Sequence, residues 1–165
     1  MKIAIIGAGA AGIIAAITAK RLNKNLQIDL FDANKGIGKK ILASGNGRCN
    51  ISNNQITSKN YLGENPDFTS FALKEFDFKA FEKFCKSIGL LLDIKPSGKV
   101  YPLSNEAKSV TNLLELALQE LGVNIYLESM ITDIEKVEDK FNITTKDNEY
   151  KAYDKVLISN GLGAA

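Results

Sequence analysis

The stretch Lys2-Ile3-Ala4-Ile5-Ile6-Gly7-Ala8-Gly9-Ala10-Ala11-Gly12, read on as far as Asp32, decides the fold. Residues 2–6 form a short, β-branched apolar run, the pattern of a parallel strand buried on both faces. Gly7 ends it. From Ala10 to Leu22 the residues are strong helix formers with apolar positions all round, and Asn23 to Asn25 break the run before a second strand at Gln27 to Phe31. Strand, glycine turn, helix, strand is the opening of a βαβ unit, whose handedness sets the helix start against the strand ends.

G-x-G-x-x-G alone is a weak signal, and its force here comes from that context. Gly7 permits the sharp turn out of the strand, Gly9 lets backbone approach a diphosphate, and Gly12 allows close packing of helix on strand, with Ala16 extending the small face. The free N–H groups of the first helical turn, at Ala10 and Ala11, and the positive end of the helix dipole favour an anion without any cationic side chain. Asp32 closes the second strand twenty residues after Gly12. A carboxylate there accepts hydrogen bonds from ribose hydroxyls and repels a 2′-phosphate, which leaves FAD or NAD as the expected dinucleotide. Glycines merely tolerated in a packed turn would need neither the strand, the helix nor the acid.

The 165 residues, 45% of them hydrophobic, fit one domain with an ordinary core. Lysine and arginine number 21 against 19 acids, and a net charge of +2 disfavours nucleic acid or an anionic membrane as partner. With no histidine in the chain, Ser-His and Cys-His catalysis are excluded. Cys49 and Cys85 lie in no metal-ligand spacing, so no metal is expected. The apolar run from Ile3 to Ile17 imitates a signal peptide, but glycines punctuate it, it leads into an acid-ended strand, and it is too short to span a bilayer. A cytoplasmic protein with small-molecule partners is the expectation.

Further along, residues 34–60 are rich in Gly, Asn, Ser and Lys, a long loop-like stretch of the kind that a ligand orders. Aromatics at Phe68, Phe71, Phe76, Phe78, Phe81 and Phe84 suit two short helices broken near Asp77, and read as core rather than cofactor pocket. Gly89 is a C-cap. Leu90 to Ile94 and Lys99 to Tyr101 read as a hairpin around Pro96-Ser97-Gly98. A helix from about Asn105 to Leu121, capped by Gly122, precedes a buried strand at Val123 to Leu127. Three alternating runs follow, Ile131 to Val137, Phe141 to Thr145 and Glu149 to Tyr153, and Lys155 to Ser159 is a last strand. The fold expected is α/β: a Rossmann-type parallel sheet in one domain over residues 1–165, with a helical insertion at about 60–121 and an antiparallel three-strand meander at about 132–153.

The segment Gly38-Lys39-Lys40-Ile41-Leu42-Ala43-Ser44-Gly45-Asn46-Gly47-Arg48-Cys49-Asn50-Ile51-Ser52-Asn53 resembles the "GRKxLxSGGGRCNxTN" motif of BaiN-like bacterial flavoproteins, also described as aminoacetone-oxidase-like or NAD(P)/FAD-dependent oxidoreductases. Lys99-Val100-Tyr101-Pro102-Leu103-Ser104 is similar to that family's "RVFPxS", and the resemblance runs on to Ile158-Ser159-Asn160-Gly161. A loop holding Gly45 and Gly47 can bring backbone N–H groups against a flavin or its phosphates, while Arg48 supplies a fixed cationic fork. The alternative is a basic, solvated loop.

The resemblance implies FAD as cofactor and NAD(P)H as electron donor. Its site adds Ala33 beside Asp32, Lys40, Ser44, Gly45, Gly47, Arg48 and Asn50, the backbone at Met130-Ile131 against the adenine, and Gly161. The family's closing "ATGG" reads here as Ser159-Asn160-Gly161-Leu162, and the substrate domain and second flavin-binding segment expected afterwards are absent. The chain therefore reads as a truncated, N-terminal FAD-binding portion of a flavin-dependent oxidoreductase, with no catalytic residue assigned. Two rivals stand beside that reading: a non-catalytic nucleotide-binding fragment, and a flavoprotein acting on RNA through Lys39, Lys40 and Arg48. Cys49, beside the loop, is read as a small packed thiol in preference to a redox group.

Overall fold

The computed structural model describes residues 1–65 and 67–161, so Leu162 lies outside the described residues. The chain divides into two compact units, one of residues 1–41 with 114–165 and one of residues 42–113.

In the first unit, β1 (Lys2–Ile6), β2 (Gln27–Phe31), β6 (Asn124–Tyr126) and β10 (Lys155–Ile158) form a wholly parallel sheet in the order β10-β1-β2-β6. Helix α1 (Ala10–Leu22) joins β1 to β2. Strands β7 (Ile131–Val137), β8 (Lys140–Thr145) and β9 (Glu149–Tyr153) form the antiparallel meander, between β6 and β10 in the chain. The side-chain alternation of β1 and β2 explains the layering. Ala4, Ile6 and Phe31 are buried in one cluster with Ile143 and Tyr153 of the meander. Ile5, Ile28 and Leu30, at the alternate positions, are 2%, 0% and 0% exposed, under the buried residues of α1, Ile13, Ala16 and Ile17. Fully burying each such side chain contributes about 1.5–3 kcal/mol. The central strands β1 and β2 are thus covered on both faces, whereas β10 leaves Leu157 42% and Ile158 63% exposed.

Chain order sets the position of the site. The chain leaves β1 toward β2 and β6 on one side, then returns as β10 on the other, so the order reverses at the β1/β10 boundary. In open α/β sheets, ligands bind outside the carboxyl ends of the strands at such a reversal. Here those ends are Ile6-Gly7 and Ile158-Ser159.

An acid sits inside the sheet. Asp29 is 2% exposed; its Oδ2 accepts from Tyr153 Oη at 2.6 Å and its Oδ1 from Asn124 Nδ2 at 2.7 Å. Lys2 Nζ lies 3.9 Å away and 4.1 Å from the centre of the Tyr153 ring. These bonds join strands β2, β6 and β9 at a depth where an unpaired carboxylate would be costly. Phe31 stacks on Tyr126 at 4.8 Å between centroids and meets Tyr150 edge-on at 5.0 Å, which fills the space beside the network.

The second unit holds β3 (Ser52–Asn53), α3 (Phe68–Glu75), α4 (Phe78–Ser87), β4 (Leu92–Ile94) and β5 (Lys99–Pro102), the strands pairing antiparallel in the order β3-β5-β4. Helices α2 (Lys39–Ala43) and α5 (Ala107–Glu120) carry the chain into and out of it. Asp77 ends the α3 run and caps α4, its carboxylate accepting from Ala80 N at 2.8 Å. Gly89 and Gly122, at φ +77° and +67°, take the left-handed turn after α4 and α5.

The aromatics of α3 depart from the core expected of them. The aromatic stripe does not form a core throughout, because Phe68, Phe71 and Phe76 are 81%, 75% and 50% exposed. α3 is short and has no buried residue, whereas α4 buries Cys85 and half-buries Phe78, Phe81 and Phe84. Spacing showed one face of a helix; it did not show whether anything covers that face.

Candidate nucleotide-binding site

Gly7 leaves β1 with φ +105°, and a Cβ there would lie 2.7 Å from Asn160 N. At Gly12 a Cβ would lie 2.0 Å from Gly7 O and 2.5 Å from Ser159 Oγ. Both positions are closed to any side chain by backbone that cannot move cheaply. Gly9 is the opposite case: a Cβ there meets nothing within 4 Å among the described residues. The first and third glycines of the turn make the close packing of α1 on β1 and β10, and the middle one faces open space.

That open space lies at the start of α1. Gly9 is its N-cap, no side chain caps the helix, and its first turn contains no acid. Ala10 and Ala11 are exposed. Among the described residues the first N–H groups of this 13-residue helix therefore have no side-chain acceptor, an arrangement that favours an anion by about 0.3–1 kcal/mol from the dipole alone. Ser159 supports the turn from β10, its hydroxyl lying 3.0 Å from Ile6 O and 2.9 Å from Gly7 O.

Asp32 is tied to the same turn. Its Oδ2 accepts from Ala8 N at 2.7 Å, and its Oδ1 accepts from Asn34 N at 2.8 Å and Asn34 Nδ2 at 2.7 Å. Asp32 N donates to Tyr126 O, while Ser129 N donates to Asp32 O and Glu128 N to Asn34 O. The strand end is thereby stitched to the segment leading into Ile131, which is half-buried at the start of β7. Ala33, next to Asp32, is exposed. Gly38 N donates to Ala8 O at 2.8 Å, which brings the loop before α2 back onto the glycine turn. Lys40, two residues on, holds its Nζ 3.9 Å from where a Cβ on Gly161 would sit, three residues past the end of β10. Gly7, Gly9, Ala10, Ala11, Gly12, Asp32, Ala33, Lys40, Ile131 and Gly161 thus all fall in the first unit.

Ser44, Gly45, Gly47, Arg48 and Asn50 fall in the second unit, on a tight turn. Gly45, Asn46, Gly47 and Cys49 all have positive φ, from +54° to +80°. The turn is held by Cys49 N to Ser44 O at 3.0 Å and Arg48 N to Gly45 O at 3.2 Å. Ile51 N donates to Val100 O, and Asn50, with its amide oriented to donate, reaches Val100 O and Ser52 O at 3.3 and 3.2 Å. The Arg48 guanidinium lies 5.4 Å from the centre of the Tyr101 ring. That contact orients the cation. Cys49 is 4% exposed and Cys85 1%, and neither is in a disulfide.

Asn34 and Ser159 are the members of this arrangement that the sequence did not announce. An Asp-x-Asn pair is a turn pattern whose use for holding a carboxylate shows only once Asp32 is placed.

The family profile described as "HI0933-like protein Rossmann domain" matches residues 1–165. A 3-dehydro-bile acid delta(4,6)-reductase of Clostridium scindens is 38% identical over 160 residues, covering 97% of this chain and 39% of the relative. A ribosomal RNA dihydrouridine synthase of Haemophilus influenzae is 29% identical over 162 residues, covering 96% and 40%. The chain thus spans about 40% of the length of these curated relatives. The solved structure of Thermovibrio ammonificans THI4 superposes with a TM-score of 0.64 over 97% of this chain and 57% of that one at 11% identity, a likeness of fold alone.

Proposed function

The chain belongs to the HI0933-like family through its Rossmann domain, and from that premise we propose that it binds FAD at the turn Gly7–Gly12 as the nucleotide-binding portion of a flavin-dependent oxidoreductase. The observation that carries the proposal is the contrast among the three glycines. Two are packed against backbone, while the middle one opens onto an uncapped helix start beside a carboxylate, at the reversal point of a parallel sheet. A diphosphate fits that position: Ala10 and Ala11 offer N–H groups, Asp32 meets the adenosine ribose, and the Lys40 ammonium lies near enough to Gly161 to balance phosphate charge.

The bound flavin would supply hydride transfer, and this chain's residues would hold and orient it. Reduction is the direction we favour. A reductase is named among the relatives, and so is a synthase of a dihydro product. NAD(P)H is the proposed electron donor. The RNA reading keeps one supporting observation, the ribosomal RNA relative, against a net charge of +2. RNA binding that weakens steeply with salt would favour it.

The test is a titration of the purified chain with FAD, followed by the visible flavin spectrum, alongside Gly9→Val and Asp32→Ala. Binding that both variants weaken at least tenfold is the expected outcome: Asp32→Ala loses a hydrogen bond to a charged group, about 1.5–3 kcal/mol, and Gly9→Val sets a branched side chain in the space the diphosphate would approach. A chain that takes up no FAD would sink the proposal. Hydrogen exchange with and without FAD tests the expected participation of Ser44, Gly45, Gly47, Arg48 and Asn50, whose amides should be slowed.

A further inference from the structure

A carboxylate has about four lone-pair positions for accepting hydrogen bonds. Asp32 already fills three from within the protein, with Ala8 N on Oδ2 and both Asn34 nitrogens on Oδ1. One remains, on Oδ2. The adenosine ribose of a dinucleotide offers a pair of adjacent hydroxyls, so Asp32 in this arrangement can accept from only one of them. The other needs a partner beside it.

Asn34 is placed to be that partner. Its Nδ2 spends one hydrogen on Asp32 Oδ1, at 2.7 Å, which leaves the second hydrogen of the same amide for an oxygen beside the carboxylate. Its backbone is fixed independently, by its own N–H on Asp32 and by Glu128 N on its carbonyl. The side chain is half-buried, so it is ordered but reachable.

We infer that Asp32 and Asn34 together form the clamp on the ribose diol, the carboxylate accepting from one hydroxyl and the Asn34 amide donating to the oxygen of the other. Asn34 is then a specificity-determining residue: it reads the presence of a hydroxyl at one of the two ribose positions. This rests on the dinucleotide reading of the glycine turn, and the experiment separates the two.

The probes are ADP, 2′-deoxy-ADP and 3′-deoxy-ADP, titrated by calorimetry against the wild-type chain, Asn34→Ala and Asp32→Ala. The Asn34 and Asp32 backbone bonds to residues 126–129 do not involve the side chains, so both variants keep that frame, and a thermal melt without ligand checks folding. Should Asn34→Ala melt well below the wild type, Asn34→Ser replaces it, keeping a short polar side chain without the amide. The wild type should bind each deoxy nucleotide about tenfold more weakly than ADP, the worth of one hydrogen bond. Asn34→Ala should abolish the preference at one hydroxyl and keep it at the other, whereas Asp32→Ala, which also releases the Asn34 amide, should abolish the preference at both. Loss of both preferences in Asn34→Ala, or of neither, overturns the inference while leaving the nucleotide site standing. A wild-type chain that binds neither ADP nor FAD overturns the site reading itself.

Discussion

Gly12 and Gly9 carry the same letter in the same turn and should respond oppositely to the same change. A methyl at Gly12 would sit 2.0 Å from Gly7 O, so Gly12→Ala must push α1 off β1. The expected cost is about 1–3 kcal/mol of stability, as for overpacking elsewhere, read from urea unfolding. Gly9→Ala meets nothing within 4 Å and has an ordinary φ of −78°, so its stability should stay within about 0.5 kcal/mol of wild type. Any effect of that variant belongs to ligand binding. Cys85 gives a second check at this scale: burial, and then the neighbouring Glu82, push its thiol up to about 12. Iodoacetamide at pH 8 should leave it unmodified in the native chain and label it in urea, because only the thiolate reacts. Rapid native labelling of Cys85 would contradict its burial.

Among the elements, β1, α1 and β2 were legible because their evidence is local: a β-branched run, a glycine turn, a helix-forming run and a closing acid all fall within residues 2–32. The meander was legible for the same reason, with period-two runs between short turns. α2 and β3 were not, since five and two residues carry too little pattern to stand out from a Gly/Asn-rich loop. Asp29 was silent for a different reason. Its partners Asn124 and Tyr153 lie 95 and 124 residues away, and no local rule pairs them. Of the candidate site, the glycine turn and the acid at the strand end stand out in the sequence, but Asn34's hold on the carboxylate depends on side-chain geometry that spacing does not encode.

That network predicts a pH effect. Burial, and then the bond to Asp29, raise the Tyr153 hydroxyl above its ordinary value of 10.0. The unfolded chain therefore releases this proton first as pH rises, so the stability it contributes is complete below pH 10 and is lost above it, toward the folded value. Alkaline urea titrations should show stability falling from about pH 10, and less steeply in Tyr153→Phe. The same variant should lose about 1–3 kcal/mol at neutral pH, where Asp29 keeps Asn124 but loses its hydroxyl donor.

For the whole molecule, binding of FAD by the native state alone would add about 2.7 kcal/mol of stability at a hundredfold excess over Kd, and so raise the melting temperature as FAD concentration rises. Differential scanning calorimetry at several FAD concentrations checks this; a melting temperature indifferent to FAD would count against the site. The sheet at the centre of the first unit also says something about how the chain comes to be folded. β1 takes its two neighbours from residues 27–31 on one side and 155–158 on the other. While the polypeptide is being made, one long edge of β1 must wait for more than a hundred further residues to emerge. Such distant pairing makes for high contact order and slow closure, and in the meantime it leaves an apolar strand open to the wrong partner. The strand that leads into the glycine turn is made before the other strands of its sheet and is among the last to be enclosed.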